Sequence, residues 1–315
     1  MKDQVELESP DVFNRGLLDA LQNANEGLLK NASESSSRMV RRRIRENGFG
    51  RLILPFKPVA DSDLNYLPDT ELPVIIEEME PESPGAKAIS FNDTADTAFY
   101  RGDKFVVYFC KIVTPEFTKN IEELRTYKSD LRGVVTDNAL KDMHTEEDSR
   151  FVKNLDRIVG AVAGVGDSGV CQNFEINSLI RRSNYGDIQN YLEDRNLNNG
   201  VYLMNRKTSK AFLKWGRDEL GGDTAEKLAL EGLSALTEAK IMGVRHIFTI
   251  KRDLVPDGVI YQFAEPGFLG KAYELMPITM FVEKKKDILS FSAMEKIGLT
   301  IANTAAVNRV KYLQL

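Results

Sequence analysis

The hexapeptide Gly164-Val165-Gly166-Asp167-Ser168-Gly169 satisfies the string GxGxxG, which in dinucleotide-binding proteins brings backbone N–H groups up to a pyrophosphate. That chemistry needs a strand before the first glycine, a helix opening at the last, and an acid ending the next strand. The residues before Gly164 have a helical pattern, and CQNFEINSLIRR after it lacks the required strand and acid. The stretch therefore reads as a glycine-rich interdomain loop. Within it, Gly166-Asp167-Ser168-Gly169 matches the tetrad around the nucleophile of trypsin-like proteases, and a serine nucleophile needs a histidine base and an orienting carboxylate. His144 lies only 24 residues upstream, at an expected helix start, and His246 in VRHIFTI reads as a strand histidine. Neither supplies the base from a separate barrel.

Metal chemistry fares no better. The chain has two histidines and two cysteines, Cys110 and Cys171, and the cysteines form neither a CxxC pair nor a ligand spacing, so reduced thiols are the expectation. The acids Glu146, Glu147 and Asp148 suit the first turn of a helix, where the macrodipole stabilises carboxylates without any catalytic role. No catalytic, cofactor or metal site is expected, and the chain does not read as an enzyme. The remaining charged feature is basic: Arg38, Arg41, Arg42, Arg43 and Arg45. These could contact DNA, an acidic scaffold, or the acidic residues Glu77, Glu78, Glu80 and Glu82 on a neighbouring copy; a solvated helix face is the plain alternative.

The elements that would carry these residues are of mixed kinds. In 315 residues, 42% are hydrophobic and 28% charged, and 47 acids against 42 bases leave a net charge of −5, a poor match to a dedicated nucleic-acid binder. The opening MKDQVELESPDVF lacks the basic start and apolar core of a signal peptide, and no apolar run reaches membrane-spanning length. A reducing, cytosol-like compartment is the expectation. Leu17, Leu18, Leu21, Leu28 and Leu29 recur at helical spacing behind Ser9 and Pro10, which suggests an arm laid on another surface.

From Gly48 to Arg101 the grammar changes, because six of the chain's eleven prolines fall between positions 55 and 84. That density excludes a long helix and predicts an extended loop flanked by extended pieces at RLILPF and AISF, with few core residues of its own. FVVYFCKIV then reads as a strand, and Thr114-Pro115-Glu116 as the cap of a helix through FTKNIEELRTY. A second helix is expected from His144, with Thr145 and Asp148 in a capping box and Phe151, Val152, Leu155, Ile158 and Val159 on its apolar face. Short helices near 188–194 and 206–220, a strand at GVYLMN, and a helix at 224–242 follow. Next come HIFTI, a turn at Val255-Pro256-Asp257-Gly258, VIYQFAEP, and two closing strands, YELMPITMFVEK and LSFSAMEKIGLTIAN. The layout is α+β.

This order of modules resembles the major capsid proteins of tailed phages with the Hong Kong 97-type fold. At residue level, GVRHIFTIKRDLVPDGVIYQFAEPGFLGKAYEL is similar to that family's strand, charged turn, strand and step back to the peripheral domain, and AMEKIGLTIANTAAVNRVKYL to its last strand and tail. The resemblance implies an N-terminal arm (1–47), an extended E-loop (48–101), a P domain with a spine helix (102–159), an A domain (160–265) and a return to the P domain (266–315). It implies a virion protein, assembled in the host cytoplasm, that forms hexamers and pentamers in an icosahedral shell around double-stranded DNA held by non-specific contact. Portal and cement proteins are further implied partners. Because the arm is short and begins at Met1, a separate scaffolding protein is expected. Neither Lys57 nor Lys87 matches the lysine that some relatives use for cross-linking. An encapsulin-like compartment subunit is the alternative, and an enzyme or ligand-binding protein using the 160–170 loop a remote one.

Overall fold

The computed structural model describes residues 48–67, 70–78, 88–91, 93–94, 97, 104–120, 131–160, 164–165, 171–215 and 238–314. Among them, two mixed β-sheets are bridged by one long helix. The first sheet holds β1 (Phe56–Pro58), β2 (Asn65–Leu67), β3 (Thr70–Glu78), β4 (Lys104–Val113), β5 (Phe117–Asn120), β12 (Gly270–Lys285) and β13 (Ile288–Ile301), in the order β1-β12-β13-β4-β3-β2, with β5 also on β13. The second holds β6 (Gly164–Val165), β7 (Cys171–Ile176), β8 (Asn199–Asn205), β9 (Glu238–Ile241), β10 (Val244–Thr249), β11 (Val259–Ala264) and β14 (Val307–Tyr312), in the order β6-β7-β14-β11-β8-β10-β9. The α+β expectation holds, and the two closing strands form the long β12–β13 hairpin.

The bridging helix α2 runs over Leu131–Val159, 29 residues or about 44 Å at 1.5 Å per residue. Its first half packs Val135, Ala139 and Met143 on Met280, Leu289 and Phe291 of the first sheet. Its second half packs Phe151, Leu155 and Val159 on Leu203, Tyr261 and Phe263 of the second. On β8 the side chains alternate, so Leu203 faces α2 while Tyr202 and Met204 face helix α3 (Arg182–Glu193) on the far side.

Several local expectations are corrected. RLILPF is not extended: Phe49–Ile53 forms a short helix, α1, which stops just before Pro55 because the residue preceding proline disfavours helical geometry. Thr114-Pro115-Glu116 caps no helix. Thr114 exchanges hydrogen bonds with Ala293 of β13, and Phe117–Asn120 continues as a strand along Ile288–Phe291. The proline sits where β4 gives way to β5 on the same partner strand, a break at which no ladder donor is needed. Nor does a helix begin at His144, which lies near the middle of α2; Thr145 donates to the Lys141 carbonyl one turn back instead of capping.

The region after β8 is a four-residue helix α4 (Arg206–Ser209) and a 3-10 turn at Lys210–Lys214, and the end of the expected 224–242 helix is strand β9. The extended loop does contribute core, since Val74 and Ile75 of β3 are buried, Ile75 against Val107 and Tyr273. Finally, residues 307–312 leave the hairpin and pair in the second sheet between β11 and β7.

Candidate assembly surfaces

The polar triplet in the middle of α2 is where the two sheets, α1 and the spine helix are tied together. Glu147 and Asp148 are buried, and neither relies on a helix terminus. Arg51 of α1 donates from Nε to both Glu147 oxygens at 3.1 Å, and from its Nη atoms to Glu274 of β12 at 3.3 Å and Glu295 of β13 at 3.1 Å. Its guanidinium also stacks over Phe56, 4.7 Å from the ring centre. Asp148 accepts from the Gly50 backbone N–H at 3.0 Å and from Lys251 Nζ at 2.6 Å. Glu146, by contrast, points outward and pairs with Arg150 one turn on.

One cation facing three carboxylates leaves an excess of negative charge in a dry site. Burial, with repulsion from Glu147 and Glu274 outweighing the attraction of Arg51, pushes the Glu295 carboxyl up to about 9. Its Oε1 has no hydrogen-bond partner among the described residues. Both ring nitrogens of His144 are likewise buried and without a partner among the described residues, and burial lowers that imidazole to about 4. His246 is lowered to about 4 by burial as well. It accepts from the Tyr185 hydroxyl at Nε2 while Nδ1 faces the Val244 carbonyl at 2.8 Å, so it is a satisfied core histidine.

Of the residues singled out for contacts between copies, Arg38, Arg41, Arg42, Arg43, Arg45, Glu80 and Glu82 lie outside the described residues. Glu77 and Glu78, at the end of β3, have partners in their own chain: Glu77 accepts from the Tyr273 hydroxyl, and Glu78 pairs with Lys104 at 2.8 Å on an open surface. The surface reading missed is apolar. Leu72 on β3 and Tyr108 on β4 stand on one face of the first sheet, 66% and 61% exposed, and Phe91 is fully exposed. Exposed apolar groups on a sheet ending at a three-residue edge strand, β2, suit a surface that meets another chain. Proline density pointed to the loop but could not say which side chains face outward.

Most of the glycine loop, 161–163 and 166–170, lies outside the described residues, and the two elements described around it are strands. Gly164–Val165 is a strand pairing with β7, and after the undescribed 166–170 the chain resumes as β7, not as a helix. Among the described residues no group of three potential ligands could hold a metal, and no helix is long and apolar enough to cross a membrane.

No protein-family model matches the chain, and no curated protein matches it in sequence. Solved structures do match in shape. The capsid of an empty GTA particle aligns with a TM-score of 0.59 at 14% identity, over 83% of this chain and 88% of that one. The capsid of the cyanophage P-SCSP1u gives 0.59 at 7% identity, over 84% and 87%. A virus-like particle from Pyrococcus furiosus gives 0.52 at 15%, over 88% and 98%. At such identities the likeness speaks for architecture alone, and it agrees with the two sheets on one spine helix: the chain has the Hong Kong 97-type fold of phage capsid subunits.

Proposed function

We propose that this chain is a shell subunit, structural and not catalytic, that assembles with copies of itself through hexamers and pentamers into an icosahedral capsid around double-stranded DNA. The observation that carries the reading is the extent of the likeness: capsid chains from unrelated-looking sequences align over 83–85% of this one. Support comes from the exposed Leu72 and Tyr108 on β3 and β4, near the β2 edge of the first sheet, because a shell subunit needs exposed surfaces that neighbours cover. In this reading the arm is 1–47, the E-loop 48–101, the P domain 102–159 with part of 266–315, and the A domain 160–265 with β14 added to its sheet. A separate scaffolding protein, a portal and a cement protein are the expected partners, and the virion the expected location. Electron microscopy of the purified protein tests it: closed icosahedral particles are expected, and a monodisperse monomer under all salt and protein concentrations rejects the proposal.

A second reading is a compartment shell of the encapsulin type, favoured by the alignment with 98% of the Pyrococcus furiosus particle chain. The contents of particles purified from the native source separate the two: packaged double-stranded DNA for the first, an enclosed enzyme for the second.

A further inference from the structure

Strands β8 and β10 are parallel neighbours with Asn205 beside Thr249, so the segments leaving their carboxyl ends emerge together at one end of the second sheet. The turn that feeds the antiparallel strand β11 lies at the same end. Hydrogen bonds tie these segments to one another. Asn205 Nδ2 donates to the Val255 carbonyl at 3.0 Å and to Asp257 at 2.9 Å, and the Gly258 N–H donates to Thr208 Oγ1 at 2.8 Å. This end of the sheet is therefore a braced platform.

Its charge is basic. Lys207 and Arg252 come from different segments, and both bond the same oxygen, Asp257 Oδ2: Lys207 from Nζ at 2.7 Å and Arg252 from Nη2, with Arg252 Nε on Oδ1 at 3.0 Å. One carboxylate thus holds two cations side by side. Their side chains are 55% and 59% exposed, against 21% for Asp257, so the cations stand further into solvent than the acid that positions them. Lys210 lies three residues after Lys207, a spacing that shares a helical face, and it is exposed with no ion pair among the described residues. Arg206 Nε is buried without a hydrogen-bond partner. Across 206–210 and 250–258 the chain carries Asp253 and Asp257 against Arg206, Lys207, Lys210, Lys251 and Arg252. Lys251 is turned onto Asp148; the other four cations still outnumber the two acids, on a chain whose net charge is −5.

We infer that this platform is the surface on which the subunit meets duplex DNA, with Lys207, Lys210 and Arg252 pairing with backbone phosphates. A phosphate offers several oxygens that accept from neighbouring cations at once, which suits Lys207 and Arg252 held against one carboxylate. Because Asp257 already fixes both side chains, less freedom is lost on contact. A protein partner calls for an apolar centre with charge at its rim. Here the charged cluster is the centre, and Ile250 is the one strongly exposed large apolar side chain in these segments. Phosphate contacts carry no sequence information, which fits a surface that meets any stretch of duplex. The inference rests on the shell reading, which supplies the DNA.

The test is Lys207→Gln with Lys210→Gln in the full-length protein, set against Lys153→Gln with Arg157→Gln, two exposed cations of α2 whose loss changes the net charge equally. Binding of a short labelled duplex is followed by fluorescence anisotropy as salt is varied. The platform variant should bind at least tenfold more weakly at low salt. Its dependence of log affinity on log salt should be shallower by about 2, since each phosphate contact contributes about 0.9. The α2 control should stay close to the wild type. Melting curves matching the wild type establish that each variant folds; should the platform variant melt early, Lys210→Gln alone replaces it, with a slope change of about 1. A wild type that does not bind the duplex at low salt overturns the inference, as does a platform variant that binds like the wild type or a control that loses as much. Polyglutamate displacing the duplex as effectively as unlabelled DNA overturns it too, in favour of an acidic protein partner. Electron microscopy of the same samples separates the two readings. Closed particles without duplex binding leave the shell standing and reject the DNA surface, whereas duplex binding lost in the platform variant of a protein that never forms particles keeps the surface and rejects the shell.

Discussion

Arg51 and Glu147 stand 96 positions apart in the chain and meet through three hydrogen bonds, two from Nε at 3.1 Å and one from Nη2 at 2.5 Å. The pair fastens α1 to the centre of α2. Through the same guanidinium it reaches Glu274 and Glu295 on the β12–β13 hairpin. Replacing Arg51 with Met keeps the aliphatic bulk but leaves Glu147 buried without its cation. Breaking a buried pair from one side costs about 3–5 kcal/mol, and urea unfolding should read a loss of that order. Arg51→Met combined with Glu147→Gln should recover part of it, as coupled neighbours do; strictly additive losses would mean that the two side chains do not interact.

Three buried groups, Glu295 in this cluster, His144 beside it and His246 in the core of the second sheet, contribute to the pH dependence of stability. Glu295 is raised from 4.5 to about 9 in the folded protein, so its stabilising contribution is complete below pH 4.5 and is lost as pH rises toward 9. His144 and His246 are lowered from 6.5 to about 4, so their contributions are complete above pH 6.5 and are lost as pH falls toward 4. Between 4.5 and 6.5 two histidines oppose one carboxyl, and above 6.5 the carboxyl acts alone. For these three groups stability peaks near pH 6.5, with an alkaline limb of at most about 1.4 kcal/mol per pH unit. Urea midpoints from pH 4 to 9 should trace this shape. Glu295→Gln should flatten the alkaline limb, and an unchanged limb in that variant would remove Glu295 as its cause.

Gly270 opens β12 where that strand meets the end of β13. A Cβ there would lie 2.3 Å from the Thr300 carbonyl oxygen and 2.9 Å from Ile301 Cα, and backbone on both sides leaves nothing flexible to move. Gly270→Ala should therefore cost about 3 kcal/mol or more, the upper end of overpacking. Gly267, three residues earlier, faces open space and serves as control: Gly267→Ala should stay within about 1 kcal/mol of the wild type. Thermal melts of the two variants measure the contrast, and equal stabilities would show that the hairpin can open at Gly270.

The contrast between these positions also shows which parts of the fold could be read from sequence. Strands β4, β8, β10, β11 and the β12–β13 hairpin announce themselves as apolar runs between turn residues, and so does the apolar face of Phe151, Val152 and Leu155. The middle of α2 did not, because Glu147 and Asp148 sit among buried positions where the helical pattern expects apolar residues. A polar triplet before an apolar face looks like a helix start. Its cations, Arg51 and Lys251, come from 96 and 103 positions away, beyond any local pattern. Thr114-Pro115 misled for a related reason: cap residues and a strand break use the same amino acids, and the hydrogen bond to Ala293 decides between them.

The arginine run, Arg38 to Arg45, carries the last prediction. Its proposed acidic counterpart on a neighbouring copy is narrower than the sequence suggested, since Glu77 is engaged by Tyr273 and Glu78 by Lys104 within the same chain. The Glu78–Lys104 pair is exposed, its side chains 65% and 62% open to solvent, and exposed pairs of this kind exchange partners readily because each holds its partner weakly. Replacing Arg41, Arg42 and Arg43 with Gln should impair particle formation in the absence of DNA. The defect should resemble that of the wild type at high salt, where contacts between exposed charges are screened beyond roughly 3 Å at 1 M. Light scattering during assembly, with salt varied for both proteins, reads the two effects on one scale. If the triple variant assembles normally without DNA and fails only when DNA is packaged, the run is a nucleic-acid contact and the neighbouring subunit is not its partner.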